Sequence, residues 1–94
     1  MGKFVYIVNG ETGEYSDWIT WEVAAFMDKS KAEEFCELLM SKLSELGCNR
    51  ATGARYLEYD QEKLVKETMN SLDPNLRIDY TGSSYEVREV PLRG

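Results

Sequence analysis

The chain has 94 residues, 43% hydrophobic and 30% charged, the composition of one globular domain over residues 1–94 rather than of a disordered chain. Eleven basic residues against seventeen acidic ones give a net charge of −6 and an isoelectric point near 4.6, which repels phosphate backbones and anionic lipid and argues against direct nucleic-acid or membrane binding. Histidine is absent and cysteine is limited to Cys36 and Cys48, which excludes Ser-His-Asp and Cys-His nucleophile systems and the usual zinc sites.

Lys3 to Asn9 reads as a strand with Phe4, Tyr6 and Val8 on one side and Val5 and Ile7 on the other, apolar on both faces as a central strand is. Asn9-Gly10 and Thr12-Gly13 are turn dipeptides, and the acidic connection Glu11 to Asp17 leads into a second strand, Trp18 to Phe26. The pair is expected to form an antiparallel hairpin with a long loop. In the second strand Ile19, Trp21, Val23 and Ala25 make one apolar face; Phe26 breaks the alternation, as a bulge would allow.

A helix is expected from Asp28, as N-cap, or from Ser30, whose spacing to Glu33 fits a capping box, to Gly47 as the left-handed residue that ends it. Ala32, Phe35, Cys36, Leu39, Leu43 and Leu46 form its buried stripe. Leu38 and Met40 widen the apolar arc beyond what one sheet face requires, so a second helix or a second subunit is expected to cover them, and a homodimer through Leu38 and Met40 is one expectation. A helix running unbroken between Cys36 and Cys48 would separate them by about 18 Å, beyond disulfide reach, so both are read as reduced.

Cys48 to Ala54 reads as a loop. Arg55 to Asp60 fits either a strand or the first turns of a helix, and a helix from about Asp60 to Leu72, with Leu64, Val65, Thr68, Met69 and Leu72 at helical spacing, is preferred; Asp73-Pro74 stops it. Leu76 to Tyr80 and Tyr85 to Leu92 read as two short strands around the turn Thr81-Gly82-Ser83-Ser84, and Pro91 suits a strand end or edge. The expected fold is α+β: an antiparallel sheet of about four strands, from an N-terminal and a C-terminal hairpin, with two helices packed on one face.

Between Lys3 and Lys29 there is no basic residue, while Glu11, Glu14, Asp17, Glu22 and Asp28 all fall there, so one end of the molecule is expected to be acidic and to favour a cationic partner. Glu11, Glu14 and Asp17 match no calcium loop, and no metal or cofactor is expected. Glu14 or Asp17 with Asp79 would be a carboxylate acid–base pair, but carboxylates are abundant in any acidic chain and no enzyme is expected. Tyr15, Trp18, Tyr80 and Tyr85 lie beside Glu14, Asp17 and Asp79 at strand ends, the mixture found in recognition surfaces, and these seven residues are the leading candidate site. Arg50 and Arg55 around Thr52-Gly53 are an alternative anion-binding pair for a nucleotide or metabolite.

Gly13-Glu14-Tyr15-Ser16-Asp17-Trp18, then Trp21-Glu22-Val23-Ala24-Ala25-Phe26, then Lys31-Ala32-Glu33-Glu34-Phe35, together with the tail Leu72-Asp73-Pro74, Asp79-Tyr80-Thr81-Gly82 and Tyr85-Glu86-Val87, resemble small uncharacterised proteins encoded by bacteriophages and prophages. About half the chain carries the resemblance. It implies a phage-type accessory protein and brings no catalytic residue; taken with the charge asymmetry and the missing histidine, the expectation is a non-enzymatic protein that binds a host protein through its acidic, aromatic end. With no signal-peptide pattern after Met1, the expected location is the cytoplasm of a bacterial host cell.

Overall fold

The computed structural model describes residues 3–13, 18–52, 59–78 and 82–93. In chain order these hold strand β1 (Lys3–Thr12), strand β2 (Ile19–Phe26), helix α1 (Lys29–Glu45), a 3₁₀ turn (Arg50–Thr52), helix α2 (Tyr59–Met69) and strand β3 (Ser83–Leu92). The class is α+β. The sheet is fully antiparallel in the order β2-β1-β3, so the strand with two apolar faces is the central one.

Among the described residues the sheet has three strands, not about four. Leu76 to Ile78, the described part of the expected fourth strand, is irregular chain. The Leu76 N–H turns back to the Asp73 carbonyl at 3.2 Å and the Leu76 side chain enters the core, so the segment spends its apolar residue and amide on a turn rather than a ladder. No C-terminal hairpin is formed among the described residues; β3 pairs along its whole length with β1, from Lys3 opposite Leu92 to Thr12 opposite Ser83.

Asn9-Gly10 is not a turn either. Both residues continue β1, and Gly10 sits under the Trp21 ring, where a Cβ would lie 2.4 Å from Trp21 Cε2 and Cζ2. The glycine answers a close approach of side chain to backbone, a packing need that a dipeptide pattern read as a bend. The turn begins later, at Gly13, whose φ of 89° is in the left-handed region.

The register of β1 on β2 slips between Val8 and Asn9: Val8 faces Ala24 and Asn9 faces Glu22, leaving Val23 as the extra residue of a bulge. From there the alternation is reset, so that Phe26 turns inward and meets Phe35 of α1 with ring centroids 5.6 Å apart, while Ala25 turns outward. Ala25 is thus exposed, against its expected inward placement, whereas Trp21 and Val23 pack on the core; Ile19 shares the face of Trp21 and is exposed at the end of the sheet.

Helix α1 starts where Asp28 accepts the N–H groups of Ser30 and Lys31 through Oδ1, at 2.8 and 3.3 Å, and ends before Gly47 at φ 73°. Ala32, Leu39 and Leu43 are fully buried on the sheet, with Val8 beneath and Val65, Met69, Leu76, Cys48 and Tyr85 around them. Helix α2 therefore adds Val65 and Met69 to the same core, but Leu64 is 57% exposed, because the inward-facing arc of this short helix is one residue narrower than its apolar spacing. Met40 is half-buried against β3 and Leu38 is 43% exposed, so α2 does not cover Leu38. The opposite sheet face, with Val5, Ile7, Glu22, Glu86, Arg88 and Val90, carries no helix among the described residues.

Candidate functional site

Two regions gather polar and aromatic groups. The first is the end of the sheet where Thr12 pairs with Ile19 on one side and Ser83 on the other. There Glu11 accepts from the indole of Trp18 at 3.2 Å through Oε2 and from the Ser84 hydroxyl at 3.1 Å through Oε1, while the Thr12 hydroxyl donates to the Gly82 carbonyl at 2.6 Å. One carboxylate thus joins the end of β1, the start of β3 and the residue that leads into β2. Trp18 remains 52% exposed although its ring is tethered. On the helix-free face beside it, Asn9 lies between Glu22 and Glu86, and its buried Oδ1 has no hydrogen-bond partner among the described residues.

The second region is a buried polar hub. Asp73, 1% exposed, accepts the Trp21 indole N–H at 2.9 Å and the Tyr85 hydroxyl at 2.8 Å, both on Oδ2, and the Asn75 N–H at 3.2 Å on Oδ1. The rings of Trp21 and Tyr85 meet edge to face with centroids 6.3 Å apart. The turn after α2 is thereby fastened to β2 and β3 at once. Burial first, and then the charge of Asp73, push the Tyr85 hydroxyl far above the usual tyrosine range, so it stays a donor. Open grooves of about 410 and 500 Å³ flank this turn, one along Lys66, Asn70 and Pro74, the other along Ile19, Thr20, Asn75 and Arg77. Asp73 itself faces its three donors, so this carboxylate is structural in what it does.

Of the expected site residues, Trp18 is at the exposed sheet end. Tyr85 is not a surface aromatic: it is buried in the core and bound to Asp73, because β3 begins two residues before it and the register places it on the helix-covered face. Glu14, Tyr15, Asp17, Asp79 and Tyr80 lie outside the described residues, but the residues that flank both segments, Gly13 and Trp18, Ile78 and Gly82, bracket them, and Thr12 joins Gly82 directly. Arg50 is half-buried in the 3₁₀ turn, and Arg55 lies outside the described residues. Glu11 as the junction and Asp73 as the hub were missed. Glu11 has no sequence signal beyond its charge; Asp73 was visible only as the residue before Pro74, a helix stop.

Both cysteines are free thiols held above their ordinary range. Cys48 is buried, donates to the Leu43 carbonyl at 3.6 Å, and is pushed by burial from 9.0 up to about 11. Cys36 is raised by burial, then by Glu37 and Glu86. No group of three or more acidic or sulfur ligands converges among the described residues. Among the described residues no helix is long and apolar enough to cross a membrane. Comparison with protein-family models, with curated proteins and with solved structures returned no match.

Proposed function

We propose that this chain is a non-enzymatic, phage-type accessory protein that binds a protein of its bacterial host, in the cytoplasm, through the acidic and aromatic end of its sheet. The observation that carries the reading is Trp18, half exposed yet held by Glu11 at the junction of all three strands. An aromatic ring fixed before binding loses little freedom on docking and is the kind of residue that dominates interface energetics. Glu11 beside Trp18, in a stretch of chain that has five acids and no base between Lys3 and Lys29, suits a partner face rich in lysine or arginine. Glu14, Tyr15, Asp17, Asp79 and Tyr80 lie outside the described residues and are included in the proposal on their sequence alone. Tyr85, buried, is not part of it.

The test is affinity capture from host lysate with the intact protein, the Trp18→Ala variant, and a double variant, Glu14→Lys with Asp17→Lys. One host protein held by the intact chain and lost from both variants, with their thermal unfolding unchanged, is the expected result. Equal capture by all three removes this surface from the function.

A further inference from the structure

The outer edge of β3 is closed over its first residues and open over the rest. The Ser83 N–H donates to the Cys48 carbonyl at 2.9 Å, and the Tyr85 N–H points to Met40 Sδ at 3.2 Å. Alternation along an antiparallel strand then directs the N–H and C=O of Val87 and Glu89 out of the same edge, and no described residue receives them. Pro91, with no N–H to offer, falls in the same set, which is where an edge strand tolerates it.

Beside this open stretch the side chains of Glu33, Cys36, Glu37 and Met40 from α1 and Val87 from β3 border a groove of about 220 Å³ with an apolar floor. Carboxylates lie on both faces of this edge, Glu33, Glu37 and Glu89 on the side of α1 and Glu86 on the other, with Arg88 as the one base on that stretch of β3. Glu86 and Arg88 point to the helix-free face, while Val87 and Glu89 share the face of α1.

We infer that the β3 edge binds an extended basic segment of a partner protein as a fourth strand. Its backbone pairs with the free groups of Val87 and Glu89, one apolar side chain enters the groove between Cys36, Met40 and Val87, and lysine or arginine on either side of it meets Glu33, Glu37, Glu86 and Glu89. A second copy of this chain offers the same free edge, but pairing β3 with β3 about a two-fold axis at Val87 sets Glu33 and Glu37 of one helix against the same carboxylates of the other. Charge therefore selects a basic partner over self-association. This surface is separate from the Trp18 end and does not depend on it.

The test uses the intact protein and a short synthetic peptide, capped at both ends, with a central valine flanked by alternating lysine and threonine. Titration followed by amide NMR and hydrogen exchange is expected to perturb and protect Val87 and Glu89, with binding that weakens by about tenfold in a Glu33→Lys, Glu37→Lys variant and falls with added salt. A peptide N-methylated at the central valine, which removes a strand hydrogen bond and leaves the protein untouched, is expected to lose that protection. The inference is overturned if the N-methylated peptide or one with glutamate for lysine binds equally well, if the shifts fall elsewhere on the protein, or if Val87 and Glu89 are already protected in a concentration-dependent dimer.

Discussion

Replacing Asp73 by alanine removes the acceptor shared by Trp21 and Tyr85, and its cost follows from what each donor is left with. The Tyr85 hydroxyl sits in the core with no other acceptor described near it, and the Trp21 indole is half-buried beneath the same turn. A buried donor without a partner costs about 1–3 kcal/mol, so two of them, together with the lost Asn75 turn bond, amount to about 4 kcal/mol. In a domain of this size that lowers the unfolding midpoint by roughly 15–30 °C. Tyr85→Phe is expected to cost only about 1 kcal/mol, because Asp73 keeps the Trp21 and Asn75 donors and the phenyl ring keeps its edge contact. In the double variant the hydroxyl is already gone when its acceptor is removed, so the two changes should couple by about 1–2 kcal/mol. Urea unfolding followed by circular dichroism and tryptophan emission measures all four corners of this cycle. Asp73→Ala within about 1 kcal/mol of the parent, or strictly additive variants, would refute the hub as a determinant of stability.

Gly10→Ala is expected to destabilise by about 2–3 kcal/mol and to alter tryptophan emission, because a Cβ 2.4 Å from the Trp21 ring must displace the indole from its bond to Asp73; parent-like unfolding and emission would show that the ring has room. Alkaline pH should weaken the fold through Cys48 and Tyr85. Both are held protonated in the folded state above their ordinary values, so the unfolded chain releases these protons first; the Cys48 contribution is complete below pH 9.0 and lost as pH rises through about 11, while that of Tyr85 begins to fall only above pH 10.0. Cys48 alone accounts for about 2–3 kcal/mol of that loss, and Cys48→Ala should flatten the decline measured by urea midpoints across the window.

The parts of this fold that depend on local chemistry were legible in the chain. Asp28 caps α1 and Gly47 ends it because a side-chain acceptor and a residue free to take positive φ are needed within one turn of those ends. The stripe of Ala32, Leu39 and Leu43 and the two-sided apolar pattern of β1 likewise announced what they bury. Local pattern failed where the reason for a residue lay across the molecule. Gly10 looked like a turn and is a seat for Trp21; Leu76 looked like a strand residue and closes a turn over the core.

At the site the division is the same. Trp18 and the acidity of its surroundings were plain from the residues, since charge and aromatic character are properties of the sequence itself. That Glu11 ties three strand ends, that Tyr85 goes inward to Asp73, and that Val87 and Glu89 present an edge unpaired among the described residues were decided only by register. Side chains alternate with a period of two along a strand, so the bulge at Val23 and the pairing of β3 with β1 determine which face each residue joins, and both depend on partners far away in the chain.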